Sequence, residues 1–266
     1  FKSKNNFTLE IDNKLKINNI VLNSDLDIDQ LKYERPDIIQ SYILNTNDLI
    51  LLEDHKLNLN YKKNNFIVSG EGKIQLDEEI SKIKYLINKN NEDLDIKTEL
   101  LINNINLRKQ NFLKIYFPQM SETINFNNQK IKIDYKNNDL SISGSGKFKV
   151  DKDYDEIDYF IEKKENSINF NTQVNLKNTS FKVDNINYKK KDGTNMSLKI
   201  DGELKNNKNL IINNLTITED NNKINIVNLF LNKKNQVIKI DKIDFNFLDT
   251  ENIKNIIKIE NQKDSS

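Results

Sequence analysis

Apolar and polar residues alternate one by one over long stretches of this chain. In SINFNTQVNL, residues 167–176, Ile168, Phe170, Val174 and Leu176 are apolar, and polar residues fill the gaps. Successive side chains of a β-strand point to opposite faces of the sheet. This alternation therefore predicts strands with one apolar face that is shielded from water, the dry face, and one polar face that is exposed to water. Antiparallel sheets tolerate such two-sidedness, whereas parallel sheets rarely do. The sequence therefore predicts an all-β fold built on a long, twisted antiparallel sheet.

Clusters of Asn, Asp and Lys separate the alternating stretches, at 62–65, 88–93, 136–139 and 219–222. Asn and Asp tolerate turn conformations and hydrogen-bond to their own backbone. The spacing between the clusters is typical of hairpins joined in a meander, and it predicts about 17 strands.

Two segments carry helical signals instead. In residues 36–44, Pro36 stands where the first turn of a helix would begin. In residues 249–259, Asp249 or Thr250 is a possible N-cap before isoleucines at helical spacing. We therefore expect one or two short helices beside the sheet.

The chain contains an internal repeat with an offset of 74 residues. FIVSGEGKIQL at 66–76 matches LSISGSGKFKV at 140–150, and the match extends without a gap over 56–107 and 130–181. A diverged third part, 187–247, keeps the alternation but not the register. Repeats of this kind stack to bury a continuous surface that one unit could not bury alone. We therefore expect residues 1–266 to form a single elongated segment of a larger protein.

The repeated Gly-x-Gly-Lys is not a phosphate-binding loop. That loop requires Gly-x-x-x-x-Gly-Lys-Ser/Thr between a strand and a helix, whereas these glycines lie within a strand. Glycine inside a strand marks a bend, a bulge or a close approach to the backbone. Because glycine has no side chain, these positions on the dry face could also leave room for a ligand.

Composition excludes several classes of protein. Lys and Arg number 41 and Asp and Glu 40, and the two signs are interspersed, so we predict no nucleic-acid partner. No apolar run approaches the roughly 18 residues of a membrane helix. Cysteine is absent, so the chain offers no disulfide or thiolate site.

Candidate chemical groups are scattered. His55 is the only histidine and follows two carboxylates, so we expect a surface residue rather than a metal ligand. Asp153, Asp155, Glu156 and Asp158 form a dense acidic run, but acid–base catalysis needs carboxylates in different environments. We therefore predict no enzyme, no catalytic residue, no metal site and no cofactor.

The dry face of such a sheet must be covered, because burial stabilises each large apolar side chain by about 1.5–3 kcal/mol. A second sheet would give a sandwich, and self-closure would give a barrel. Alternatively the sheet could curl into an open groove that is covered by a guest such as acyl chains. Alternation alone does not separate these three.

A resemblance favours the groove. The repeated Y-K-x-N-x-L/F-x-V/I-S-G-x-G-K hairpin resembles the AsmA-like proteins of Gram-negative bacteria, in particular the YhdP-type members, as do INFNTQVNL and IKIDKIDFNFLDTENIKN. That family is similar to the bridge-like lipid-transfer proteins. The resemblance implies a repeating β-groove in the periplasm, anchored in the inner membrane outside this fragment. It also implies phospholipid transport to the outer membrane and a role in outer membrane biogenesis.

We therefore expect a hydrophobic groove that conducts phospholipid between inner and outer membrane and contacts acyl chains. The alternatives are a structural or adhesive envelope β-repeat with a self-filled core, and a hydrolase acting on envelope polymers. The predicted lipid-binding residues are Leu57, Leu59, Tyr61, Phe66, Val68, Ile74, Leu76, Tyr85, Ile87, Leu94, Ile96, Ile131, Ile133, Tyr135, Leu140, Ile142, Phe148, Val150, Tyr159, Ile161, Ile168 and Phe170.

Overall fold

A computed structural model of the chain describes residues 1–35, 49–206, 209–234 and 236–261. These ranges contain seventeen strands and two short 3-10 helices, Asn111–Ile115 and Asp184–Ile186. The strands are β1 Lys2–Ile11, β2 Ile17–Glu34, β3 Leu49–Lys62, β4 Asn65–Gln75, β5 Ile80–Asn90, β6 Asp93–Arg108, β7 Thr123–Lys136, β8 Asp139–Lys149, β9 Asp155–Lys164, β10 Ser167–Leu176, β11 Lys182–Val183, β12 Tyr188–Lys189, β13 Met196–Lys205, β14 Asn209–Glu219, β15 Asn222–Leu231, β16 Val237–Leu248 and β17 Lys254–Glu260.

Fifteen of these strands form one antiparallel sheet in which neighbours follow chain order. β10 is followed directly by β13, because β11 and β12 pair only with each other. β1 and β17 lie at the two edges, so the sheet is not closed into a barrel. The prediction of an all-β, antiparallel sheet is confirmed.

The chain forms two compact units. Unit 1 comprises residues 1–107 and 127–142, and unit 2 comprises residues 108–126 and 143–266.

The internal repeat reappears in the backbone. β3 and β4 occupy the positions of β7 and β8 shifted by 74 residues. Backbone φ is positive at Asn64 (65°) and at its equivalent Asn138 (79°), and at Asp54 (51°) and its equivalent Asn128 (50°). A left-handed backbone conformation is energetically costly for most residues but is tolerated by Asn and Asp. This explains why Asn and Asp occupy these positions. The repeated sequence therefore encodes a repeated strand–turn geometry.

The prediction of a helix at 249–259 is wrong. The Asp249 carboxylate accepts backbone N–H groups from Glu251 and Ile253 at 2.9 Å each, and this turn leads into β17 rather than into a helix. β-branched isoleucine favours a strand, and β17 has a neighbour, β16, with which to pair. The other predicted helix, 36–44, lies outside the described residues.

The largest group of buried side chains lies in unit 2. Side chains from five or more strands pack there against residues of two connecting segments, 109–122 and 177–195, which we call the cap. Within the cap, the Phe117 and Phe181 rings meet edge to face at 5.5 Å, and Tyr188 meets Phe247 of the sheet at 5.8 Å. The buried members are Phe117, Met120, Phe148, Val150, Leu176, Phe181, Tyr188, Met196, Leu198, Ile217, Ile224, Phe245 and Phe247.

Candidate functional site

Three rows of side chains cross the sheet of unit 1 from β2 to β6. Paired residues of antiparallel strands lie on the same face, so strand register identifies the members of each row. One row runs from Leu59 to Val68 and Ile87. We call the apolar members of the three rows the apolar band: Leu22, Leu26, Leu57, Leu59, Tyr61, Phe66, Val68, Tyr85, Ile87, Leu94 and Ile96.

Every member of the apolar band is half-buried, and none of these eleven is fully buried. At about 4.8 Å between strands, the band extends about 20 Å across β2 to β6. The fully buried apolar residues described in unit 1 lie near the other ends of these strands, at Ile50, Ile74, Ile102 and Ile105. The band is thus a wide apolar surface, and its side chains are only partly covered.

The structure brings most of the predicted lipid-binding residues of unit 1 together on this band. Ile74 continues the same face of β4 and is buried, whereas Leu76 lies in the bend after β4 ends. In the second repeat the equivalent residues that are half-buried are Ile131, Ile133, Tyr135, Leu140, Ile142, Tyr159, Ile168 and Phe170.

Three further predicted residues differ from these in exposure. Ile161 pairs with Phe170, and its side chain is 37% exposed. Phe148 and Val150 belong to the buried cluster beneath the cap of unit 2 and are only 5% and 3% exposed. Side chains of the protein itself therefore cover the apolar face at these two positions.

Aromatic rings lie directly over two of the strand glycines, Gly70 and Gly144. An added Cβ at Gly70 would lie 2.5 Å from the Tyr85 ring, and one at Gly144 would lie 2.2 Å from the Tyr159 ring. Burial raises the pKa of both tyrosines. The sequence indicated a close approach to the backbone at these glycines, and the approaching groups are tyrosines of the next strand.

The expectation of a surface histidine is wrong. His55 is only 2% exposed, and its ring lies over Gly72, where an added Cβ would be 2.3 Å from Cδ2. His55 lies two residues before Leu57 and therefore shares its apolar face, whereas the bulge between Glu53 and Lys56, with Asp54 in the left-handed region, shifts the register of the preceding residues, so that Leu52 pairs with Ile74. A single nitrogen, Nε2, lies 2.9 Å from the Lys73 carbonyl oxygen. The expectation of a surface residue came from the two carboxylates before His55, whereas alternation with Leu57 and Leu59 would place its side chain on the apolar face.

The opposite face of unit 1 is charged. The cross-strand register aligns Asp27, Lys56, Glu71, Lys84 and Glu99 in one row of alternating sign. Opposite charges on neighbouring strands each contribute about 0.2–1 kcal/mol and penalise a register slip. The two faces of the unit 1 sheet therefore differ sharply in polarity, as the alternation predicted.

One residue of the acidic run in unit 2, Asp155, has a structural role. Asp155 is 3% exposed, and its carboxylate accepts backbone N–H groups from Lys177 at 2.8 Å, Asn178 at 3.0 Å and Thr179 at 2.9 Å. It thereby fixes the start of cap segment 177–195. Among the described residues, no cluster of three or more His, Cys, Asp or Glu side chains could hold a metal ion.

A buried carboxylate that the sequence did not reveal holds the other end of that segment. Glu219, 1% exposed, accepts hydrogen bonds from Tyr188 Oη and the Lys191 N–H, both at 2.7 Å, and from Thr194 and Asn222. Burial alone would raise the pKa of Glu219, but these donated bonds bring it below its ordinary value. Glu219 is the last residue of an apolar strand and is followed by Asp-Asn-Asn. In the sequence it therefore resembles a solvent-exposed turn residue.

No family model, curated protein or solved structure matches this chain. Within the ranges that the structure describes, no helix is long and apolar enough to span a bilayer.

Proposed function

We propose that the apolar band of unit 1 is part of a phospholipid-binding groove, in a periplasmic protein that conducts lipid between the inner and outer membranes. The observation that carries the proposal is the incomplete burial of all eleven band residues on one face of a five-strand stretch. Soluble proteins rarely leave a large contiguous apolar surface uncovered, and such surfaces mark sites that bind ligands, membranes or other proteins.

Acyl chains suit the chemistry of this band. They offer no hydrogen bonds, and the band presents mainly Leu, Ile, Val and Phe side chains. Apolar surface removed from water contributes roughly 25 cal/mol per Å². Tyr61 adds an aromatic ring whose polar tip suits contacts near a headgroup. Selectivity in such a groove comes from shape, and the proposal needs neither a catalytic residue nor a cofactor.

The resemblance to the AsmA-like family supports the cellular setting. In that setting the protein is held at the inner membrane by a segment outside residues 1–266, and its groove carries phospholipid toward the outer membrane. The two faces of the unit 1 sheet are consistent with lipid transport, because the charged face can be solvated while the apolar band on the other face contacts acyl chains.

Native mass spectrometry of protein purified without detergent tests the proposal. We expect the wild type to carry co-purified phospholipid and V68D to lose it by about tenfold or more, because a charge placed among acyl chains is strongly disfavoured. The matched control is I67D, since Ile67 pairs with Asn60 and Asn88 on the opposite face of the same strand. A lipid-free wild type, or equal loss in both variants, contradicts the proposal.

The cap of unit 2 favours a second candidate, a structural repeat of the cell envelope whose apolar face is filled by its own side chains. There the cap brings Phe117, Phe181 and Tyr188 into the buried cluster. A folded wild-type protein that takes up no fluorescent phospholipid would support this scaffold. Uptake that V68D abolishes and I67D preserves would favour the groove.

A further inference from the structure

The first segment of the cap carries apolar and basic residues without acidic ones. From Leu100 to Ser121 the sequence contains no Asp or Glu, although these two residues make up 40 of the 266 in the chain. It is the longest stretch of the chain without an acidic residue. Arg108, Lys109 and Lys114 lie within it, so this stretch is locally positive in a chain whose net charge is only +1.

The 3-10 helix of this segment directs its side chains to two sides. Residues i and i+3 of such a helix share one side. Phe112 and Ile115 are related in this way, and they are 64% and 59% exposed. Tyr116 is also exposed and stacks on Phe181 at 6.2 Å, whereas Leu113 packs against the buried cluster beneath the cap. We call Phe112, Ile115 and Tyr116 the exposed patch.

Backbone hydrogen bonds hold the exposed patch in this position. The Tyr116 carbonyl accepts the Lys182 N–H of the second cap segment at 3.0 Å, and the Ser121 N–H donates to the Val150 carbonyl at 2.8 Å. Phe117, the residue after the patch, is buried in the cluster. Turning the patch inward would break these contacts, so its exposure is a property of the fold.

We propose that the exposed patch inserts into the surface of a bilayer that contains anionic phospholipid. Phe112 and Ile115 enter the boundary between headgroups and acyl chains, where aromatic and aliphatic side chains are favoured. Lys114, between them in sequence, extends its ammonium group to lipid phosphate while its methylene groups stay in the apolar layer. Tyr116 suits the same boundary, because its ring is apolar and its hydroxyl is polar. The proposal does not rest on the apolar band of unit 1.

The size and charge of the patch favour a bilayer over a protein partner. A specific protein interface takes about 800 Å² from each partner, or roughly 20–30 residues. Insertion at a bilayer surface needs only a few apolar side chains beside basic ones. Glu122, which ends the acid-free stretch, is paired with Lys109. Arg108 and Lys114 form no ion pair within the part of the chain that the structure describes, so lipid phosphate can approach them.

Exposure alone does not select this patch. Leu15 is 86% exposed in the turn between β1 and β2, but two acidic residues balance two lysines within residues 10–16. Val237 and Ile238 are exposed at the start of β16, with Ile238 at 65%. Adjacent residues of a strand point to opposite faces, so these two cannot enter a bilayer together. Both sites therefore supply control variants.

Co-sedimentation of the whole chain with vesicles tests the proposal. We expect wild type to bind vesicles of phosphatidylcholine mixed with phosphatidylglycerol more tightly than vesicles of phosphatidylcholine alone. F112S should weaken binding to both by about tenfold, because it removes an inserted apolar side chain. K114Q should weaken binding by about fivefold, and only to the anionic vesicles. L15S and I238S remove side chains at least as exposed as Phe112 and should bind like wild type.

A wild type that binds neither kind of vesicle, or equal losses in F112S and I238S, overturns the proposal. V68D should leave vesicle binding unchanged, so a failure here is distinguishable from a failure of the lipid-binding band. A tryptophan reporter gives an independent readout, because the chain contains no tryptophan of its own. The fluorescence of F112W should shift to the blue with anionic vesicles and be quenched by brominated acyl chains, whereas I238W should show neither change. An unshifted F112W spectrum contradicts insertion.

Discussion

The two units carry the same alternating strands but cover their apolar faces differently. In unit 2 the connections 109–122 and 177–195 bring Phe117, Phe181 and Tyr188 over the sheet. In unit 1 the described turns are short, and the apolar band stays half-buried. Alternation along strands therefore builds an apolar face in both units, and the length and content of the connections decide whether protein covers it.

The repeat allows the same comparison one position at a time. Ser81 and Asp155 are equivalent under the 74-residue offset, as are Asn103 and Lys177. The Ser81 hydroxyl accepts the Asn103 N–H at 3.3 Å, whereas the Asp155 carboxylate accepts the Lys177 N–H at 2.8 Å and two further amides. A charged acceptor makes stronger hydrogen bonds than a hydroxyl. The second repeat thus fixes the start of a cap segment at a position where the first makes one weaker bond.

The largest expected loss of stability comes from truncating a buried leucine, compared with truncating a half-buried one. Leu176, 0% exposed, is central to the cluster of unit 2, so L176A should destabilise the protein by about 2–5 kcal/mol. L59A in the half-buried band should cost only about 1 kcal/mol, because its site is already partly open to solvent. Denaturant unfolding of both variants measures the difference. Equal losses would show that the two faces are equally covered and would remove the contrast between the units.

The next effect concerns the carboxylate beneath the cap. E219Q should destabilise the protein by roughly 1.5–3 kcal/mol, because the new NH₂ group meets donors where the carboxylate accepted hydrogen bonds. Either Tyr188, which donates to Oε2, or Thr194, which donates to Oε1, would lose its acceptor, depending on which oxygen the NH₂ group replaces, and the cap would loosen. Thermal unfolding and hydrogen exchange of residues 177–195 measure these changes. E156Q, at an exposed position of β9, is the control and should change neither.

A smaller loss of stability is expected when a glycine that lies beneath a tyrosine ring is replaced by alanine. G144A would place its Cβ 2.2 Å from Tyr159 Cζ and should cost about 1–2 kcal/mol, because the ring can shift only partly. In a Y159L background the same change should cost about 1 kcal/mol less, which a double-mutant cycle would reveal. The pair G70A and Y85L repeats the experiment in unit 1. Additive losses in both cycles would mean that the rings and glycines do not act together.

Sequence reasoning predicted the features that depend on local chemistry. The turn at 136–139 and the two faces of β10 follow from turn residues and period-two alternation, and both are observed. The repeat predicted the equivalence of β3 with β7, because sequences with the same alternation and the same turn positions fold alike. Most of the predicted apolar residues of unit 1 likewise share one face, since register preserves the alternation.

Features that depend on distant contacts could not be predicted. His55 was expected at the surface because of its acidic neighbours, but its ring packs over Gly72 of the neighbouring strand, a contact that the local sequence does not show. Phe148 and Val150 have the same pattern as open residues, but a cap from elsewhere in the chain buries them. Ile253 and Ile256 have helical spacing, and a neighbouring strand outweighs it. The missed elements therefore share a cause, which is tertiary contact overriding local pattern.

The smallest expected effect is a pH dependence confined to the cap. The pKa of Glu219 is lower in the folded protein than its ordinary value of 4.5, since hydrogen bonds from Thr194, Tyr188 and Lys191 outweigh burial. The ionised carboxylate therefore contributes stability that is fully present above pH 4.5 and is lost as pH falls through the lower folded pKa. Wild type should lose stability over this acidic window relative to E219Q, which has no such group to protonate. Parallel pH profiles for the two proteins would mean that the carboxylate does not hold the cap, and the difference in cover between the units would then rest on apolar packing alone.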